Sequence, residues 1–346
     1  MLVLGVESSC DETAVALVRD GREIVASTVL SQVDAHRPFG GVVPDLAARE
    51  HVRNLAPVLD SVLRAAGAAR PDAVAVTDSP GLQAALLTGI AGAEGIALAY
   101  GVPLVGVNHV EAHLTAPFLA AGEWPRHPFI SLVVSGGHTH LFHSRSAGDH
   151  RLLGATIDDA AGEAFDKVAK MLGLGFPGGP ALQRAAADGN PQAFRFKRPL
   201  LGPQSLDFSF SGLKTAVLYT CFGQETDGRP RRQLPEGMRA ADVAASFQAT
   251  VVDVLVEKAR RAVEQTGIQR LAVGGGVACN GPLRAGLTVA AAQHGWELLL
   301  APPALCGDNA AMVAARGFEL LRSGLGRAPK VSPRTTWPRE SAAPTP

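Results

Sequence analysis

The chain carries one order of elements twice, and this repeat constrains its fold more than any other feature. Residues 2–30 read as a strand LVLGV, a polar turn ESSCDET, a second strand AVALV, a turn at Asp20-Gly21 and a third strand REIVASTVL. Residues 129–157 repeat that order with FISLVV, the glycine-rich turn SGGHT, HLFHS, the turn SAGDH and RLLGATI. The second halves also correspond. AVAVT (73–77), the turn DSPGL, an Ala/Leu-rich helix to about Tyr100 and PLVGV ending at Val107 are answered by LAVG (271–274), GGVACNG, a helix to about His294 and WELLLA ending at Ala301. Each closing strand is followed by a helix with polar residues at its start, NHVEAH in one case and GDNAAM in the other.

Strands that alternate with helices predict α/β lobes with largely parallel sheets, and an opening hairpin in each makes the sheets mixed. The expected division is a lobe over 1–125, a second lobe over 126–325 with a helical insertion at about 158–268, and an irregular Pro- and Arg-rich tail over 326–346. The insertion opens with an amphipathic helix at 161–173, passes through PGGP (177–180) and FSFSGLK (208–214), and closes with a long helix over 239–266. A chain of 346 residues with 47% apolar and 18% charged residues has the material for two cores. In such sheets ligands sit at the carboxyl ends of strands, which places the turns at 7–13, 135–139, 274–280 and 306–309 around one cleft.

Other features narrow the class. The start MLVLGVESSCDE has neither the basic opening nor the apolar length of a signal peptide, and no stretch reaches about 18 consecutive apolar residues. Cys10, Cys221, Cys279 and Cys306 are far apart in sequence, so a cytoplasmic protein with reduced thiols and no membrane contact is expected. Lys plus Arg equals Asp plus Glu, 32 each, so nucleic acid must be met by local patches or through a partner. Two basic patches, Arg195, Lys197 and Arg198, and Arg229, Arg231 and Arg232, also read as solvated loops.

The chemistry concentrates in the cleft turns. Asn108 can cap the helix after it, which puts His109 and His113 on one face at i and i+4. Glu111 lies about 200° around that helix from His109, which disfavours a zinc peptidase, where the acid adjoins the first His. The equivalent loop of the second half supplies Asp308. Two His and a carboxylate converging across a cleft form a three-ligand site with open positions, suited to Fe(II) or Zn(II). Glycines in SGGHT (135–139) and GGGVACNG (274–281) let backbone N–H groups approach a phosphate or ribose, although tight turns need glycine too. Asp166 reads as the face opposite Phe165, and Asp11 and Glu12 as acids of the first turn.

At these residues the chain resembles the tRNA N6-adenosine threonylcarbamoyltransferase family in its bacterial form, often called TsaD and formerly taken for a glycoprotein endopeptidase. The matching stretches are GVESSCDETAVAL, SQVDAHRPFGGVVPDLAAREHV, HVEAH, VVSGGHTHL, IDDAAGEAFDKVAKMLGLGFPGGP, LDFSFSGLKTAV, GGGVACN and CGDNAAM. The resemblance implies a duplicated actin-like ATPase (ASKHA) fold. It implies transfer of a threonylcarbamoyl group from threonylcarbamoyl-AMP to N6 of the adenosine 3′ of the anticodon in tRNAs reading ANN codons. By motif, His109, His113 and Asp308 would bind one iron ion, with zinc also compatible. Val133, Val134, Ser135, Gly136, Gly137, Asp166, Gly179 and Asn280 would hold the adenylate or its threonyl portion, and Glu12 would be an acid/base. Implied partners are tRNA, an inactive actin-like paralogue (TsaB type) as heterodimer partner, a small ATPase (TsaE type) and an upstream threonylcarbamoyl-AMP synthase. The competing readings are an actin-like metabolite kinase and a non-catalytic scaffold paralogue. Three positions depart from the family pattern: Ser79-Pro80-Gly81 for Gly-Pro-Gly, Asn280-Gly281 for Asn-Arg, and Gly307-Asp308-Asn309 for Thr-Asp-Asn.

Overall fold

The computed structural model describes residues 1–223, 234–326 and 333, so the second basic patch (229–232) and nearly all of the expected tail lie outside the described residues. In chain order the elements are β1 (Leu2–Glu7), β2 (Glu12–Arg19), β3 (Glu23–Ser31), α1 (Val33–His36), α2 (Pro44–Ala65), β4 (Ala73–Ser79), α3 (Gln83–Tyr100), β5 (Leu104–Asn108) and α4 (His109–Ala120). They continue with β6 (Phe129–Val134), β7 (Thr139–Ser146), β8 (Asp149–Ala155), α5 (Ala161–Met171), α6 (Gly178–Ala187), α7 (Ser211–Phe222) and α8 (Ala240–Thr266). The chain then runs through β9 (Arg270–Gly274), a 3-10 turn at Gly276–Cys279, α9 (Gly281–His294), β10 (Glu297–Leu300), α10 (Pro303–Cys306) and α11 (Ala310–Arg322).

The duplication holds strand for strand. One sheet has the order β3-β2-β1-β4-β5, and the other, read from β8, has the order β8-β7-β6-β9-β10. In both, the opening hairpin pairs antiparallel and the two later strands pair parallel, so each sheet is mixed. The repeat pattern assigns no element to 31–72, yet α2 occupies much of it. Pro44 at the first helical turn and Asp45 beside it favour the start, and Ala47, His51, Val58 and Val62 form its buried seam.

The closing helices cross over. The helix α4 follows the first sheet in sequence but packs Val110, Leu114 and Phe118 against Phe129, Val133, Phe142 and Ala272 of the second. Conversely α11 follows the second sheet and lies on the first, so close that a Cβ on Gly5 would stand 2.2 Å from the Ala310 carbonyl oxygen and 2.8 Å from the Ala314 nitrogen. Only glycine fits at that point of β1. The two helices are joined by Arg316, which is 1% exposed. Its guanidinium donates to Glu111 of α4 at 2.6 Å, to Glu319 of its own helix at 2.5 Å and to the Ala147 carbonyl at 2.7 Å. Removing one member of such a buried ionic set costs roughly 3–5 kcal/mol.

Several histidines are held inside without charge. Burial depresses His140 to about 4, and burial together with the nearby Arg316 depresses His150 to about 3. Because these values lie below that of an unfolded histidine, the unfolded chain binds more protons in the interval. The stability present above pH 6.5 is therefore lost as pH falls toward 4. At pH 5 each group forfeits up to about 2 kcal/mol. Urea midpoints at pH 7.5 and 5.0 check this: the wild type is expected to lose stability on acidification, and His140→Phe to lose less.

Candidate active site

Helix capping places the first ligands. The Asn108 side chain accepts from the backbone N–H groups of Val110 and Glu111 at 2.9 and 3.2 Å, which fixes the first turn of α4 and projects His109 and His113 from one face. Asn309 does the same for α11 through Met312 N at 2.9 Å, and so holds Asp308 just before that helix. Asp308 Oδ1 lies 3.3 Å from His109 Nε2 and 3.4 Å from His113 Nε2. One ligand atom from each of the three residues falls within 4.8 Å of the others.

The group fits a divalent metal. Both ring nitrogens of His113 are buried without a hydrogen-bond partner, an arrangement that is costly unless a ligand completes it. Two imidazoles and one carboxylate form the donor set of open transition-metal sites. Glu111, as the helical angle indicates, points away to Arg316.

Sequence reasoning missed Glu7, the buried last residue of β1. His109 Nδ1 lies 2.9 Å from Glu7 Oε2, which also accepts from Thr77 Oγ1 at 2.7 Å, while Glu7 Oε1 accepts from Ser9 N at 2.6 Å. With its proton on Nδ1, His109 turns Nε2 toward Asp308. The only signal for Glu7 in the sequence is an acid ending a buried strand. Burial works to raise the Glu7 and Asp308 carboxyls, yet attraction to the histidines prevails and holds both below their usual range. Burial likewise opposes charge on His109, but Asp308 and Glu7 raise it well above the usual imidazole value.

The triad opens into a cleft of about 840 Å³, lined among others by Glu12, Ser135, Gly136, Gly137, Asp166, Gly179 and Asn280. Six of the eight residues expected to hold substrate thus face one space. The other two, Val133 and Val134, are completely buried in β6 and do not line it. Asp166 is no solvated surface residue: its Oδ1 accepts from Gly178 N at 2.8 Å, tying α5 to the start of α6. Asn280 is committed locally, accepting from Leu283 N at 3.0 Å as the cap of α9 and donating to Gln248 Oε1 at 2.8 Å. Burial, Asp308 and Asp11 push the Glu12 carboxyl up to about 9, and Ser31 Oγ donates to it at 3.2 Å. Of the basic residues, Arg195, Lys197 and Arg198 are exposed and line no part of this cleft.

Fold and site together define an α/β protein with the duplicated actin-like ATPase fold and a His-His-carboxylate group in its cleft. Component A of the (R)-2-hydroxyglutaryl-CoA dehydratase of Acidaminococcus fermentans shares the fold at 17% identity and a TM-score of 0.53, over 92% of this chain and 98% of that one. Full-length HypF, solved with phosphate and nucleotide bound, does so at 13% identity and a TM-score of 0.60, over 94% of this chain and 47% of that one. The family model for tRNA N6-adenosine threonylcarbamoyltransferase (TsaD) matches residues 23–315. Proteins of that name from Geobacter sulfurreducens and Trichlorobacter lovleyi are 52% and 50% identical. They cover 98% and 99% of this chain, which spans 97% and 98% of theirs. The chain belongs to the tRNA N6-adenosine threonylcarbamoyltransferase family. It is thus a transferase, and no described helix is long and apolar enough to cross a membrane.

Glu7→Gln offers a direct test of the ligand geometry. An amide in that place turns one acceptor into a donor facing Thr77, Ser9 or His109. Calorimetric titration with Mn²⁺ is expected to show affinity roughly 10- to 100-fold weaker than wild type with a retained fold. Equal affinity would remove Glu7 from the site.

Proposed function

We propose that the cleft transfers the threonylcarbamoyl group of threonylcarbamoyl-AMP to N6 of the adenosine 3′ of the anticodon in tRNAs reading ANN codons. The observation that carries this reading is the convergence of His109, His113 and Asp308 beside the glycine turn 135–137, in a chain of this family. In this reading the lobes are 1–125 and 126–325, with the insertion at about 158–268 contributing Asp166 and Gly179 to the cleft wall.

The substrate is a mixed anhydride, already activated, so AMP leaves readily and no covalent protein nucleophile is needed. The protein must hold the acyl group and the weakly nucleophilic amine in line and stabilise charge on the attacked carbonyl. His109, His113 and Asp308 hold the metal, read here as one Fe²⁺ with Zn²⁺ as the alternative, and when bound it supplies Lewis-acid polarisation. The amides of Gly136 and Gly137 receive phosphate oxygens, and Ser135, Asp166 and Gly179 border the adenylate. Val133 and Val134 serve by setting the strand end from which that turn springs, and Asn280 by capping α9. Glu12, whose carboxyl burial holds above its usual range, is the acid/base of this reading.

The reading includes cytoplasmic work with tRNA, an inactive actin-like paralogue as heterodimer partner, a small ATPase and an upstream synthase of the adenylate. Exposed Val52 on α2 and Leu87 and Leu98 on α3 offer an apolar surface for the paralogue. A kinase would not need the paired histidines, and a scaffold would not need the triad.

The decisive experiment is mass analysis of tRNA nucleosides after incubation with threonine, bicarbonate, ATP, the synthase and both companions. Wild type is expected to form the modified adenosine, and His109→Ala or Asp308→Ala to lose at least a hundredfold in rate. Full activity in either variant would overturn the assignment. Glu12→Gln is expected to lower kcat by about 10²-fold or more with little change in KM; an unchanged kcat would leave Glu12 without a proton-transfer role.

A further inference from the structure

Cys279 ends the 3-10 turn at Gly276–Cys279 and is exposed in the cleft wall, whereas Cys306 ends α10 and is completely buried. Far apart in sequence, the two thiols are brought side by side where α10 meets the 3-10 turn. The surrounding backbone confirms the approach. Cys279 Sγ donates to the Pro303 carbonyl oxygen at 3.8 Å and Cys306 Sγ to that of Ala301 at 3.2 Å. Arg284 Nη1 donates to the carbonyls of Ala278 and Ala301 at 3.1 and 2.8 Å, which sets a fixed positive charge beside the pair and pins both segments.

We propose that Cys279 is a peroxide-reactive thiol resolved by Cys306, and that the resulting disulfide weakens metal binding at the cleft. The Cys279 thiolate attacks one oxygen of hydrogen peroxide. An S–O bond forms, the O–O bond breaks, hydroxide leaves and the sulfur gives up two electrons to become a sulfenic acid. The Cys306 thiol then displaces water from that sulfur, and the S–S bond closes. The microenvironment suits this order of events. The adjoining Cys306 thiol outweighs burial and, with help from Arg284, brings the Cys279 thiol down to about 7. By contrast, burial pushes Cys221 up to about 11, and burial with Asp11 and Asp308 raises Cys10 well above the ordinary thiol. A nucleophilic, accessible thiol beside a resolving one is the arrangement of a peroxide sensor.

The consequence follows from position. Bond formation draws the two sulfurs together to about 2 Å. Cys306 is separated from Asp308 by Gly307 alone, so the same contraction displaces the carboxylate that must meet His109 and His113. A misplacement of about 1 Å at such a site is enough for large losses. The inference concerns the thiols and the ligand triad, and stands whether or not the acyl acceptor is tRNA.

The test uses the full-length protein, reduced and then freed of metal and reductant. Hydrogen peroxide, a catalase quench, alkylation of the remaining thiols and peptide mass mapping are expected to show an intramolecular Cys279–Cys306 link that dithiothreitol reverses. In Cys306→Ser the same treatment is expected to stop at a Cys279 sulfenic acid that dimedone labels. In Cys279→Ser the rate of peroxide consumption should fall at least tenfold. Calorimetric titration with Mn²⁺ is expected to show at least tenfold weaker binding after oxidation of the wild type, restored by dithiothreitol, with Cys279→Ser indifferent to peroxide. The proposal is overturned if no such link forms, if Cys279 is oxidised no faster than Cys10, or if the linked protein binds Mn²⁺ as tightly as the dithiol.

Discussion

Two helix N-termini meet at the floor of the cleft, and the functional geometry depends on their meeting. The helix α4 brings His109 and His113 from the end of the first sheet, and α11 brings Asp308 from the end of the second. Each helix rests on the sheet it did not come from, so the two histidines and Asp308 are held by packing against both sheets. Gly5 allows α11 to lie against β1 at backbone distance, and Gly274 allows the equivalent approach on the other side, where a Cβ would come within 2.7 Å of the His113 carbonyl oxygen. The buried Arg316 then fixes the rotation of one helix against the other through Glu111. Structure that looks remote from the chemistry thereby sets distances of a few ångströms within it.

The same convergence organises charge. Each helix N-terminus carries partial positive charge that stabilises an anion by about 0.3–1 kcal/mol, and here two such ends face a pocket holding Glu7 and Asp308 as anions. Two buried carboxylates with two imidazoles make a set that a divalent cation brings to neutrality. Glu7 faces His109 Nδ1 and Asp308 faces Nε2, so the ring is clamped between acids on opposite edges. The arrangement lets one acid orient His109 while the other is free to coordinate. It also holds the site in place, because Glu7 is anchored by Ser9 and Thr77.

The features legible in the sequence are local or repeated. Strand alternation, the two hairpins and the matching loops follow from periodicity, and the Asn108 cap follows from a side chain acting two and three residues away. Long-range pairing is what cannot be read. Helical periodicity turns Asp166 to solvent because it says nothing about α6, whose first amide reaches back to that carboxylate. Glu7 looks like the start of a polar turn, since its partner lies 102 residues on. The angle of Glu111 is correct, but its partner Arg316 is 205 residues away and invisible to any local rule. Val133 and Val134 belong to a matching motif, and only the fold shows that their side chains serve the core.

The three departures from the family pattern are absorbed by the structure in two different ways. Ser79 gains contacts: its hydroxyl donates to Asp78 Oδ1 at 2.7 Å and accepts from Asn108 Nδ2 at 3.4 Å, so it braces the residue that caps the metal-bearing helix. Gly81, which the pattern keeps, could not change, because a Cβ there would lie 2.6 Å from the Ser9 carbonyl oxygen. Gly281 and Gly307 stand in open space with no atom near the position of a Cβ, so a larger residue would fit at either and its absence leaves no void in the core. At Gly281 the backbone N–H instead donates to Gln183 Oε1 at 2.9 Å, joining α9 to α6 across the cleft wall. All three changes leave His109, His113 and Asp308 themselves in place, held by helix caps, a glycine contact and a buried arginine.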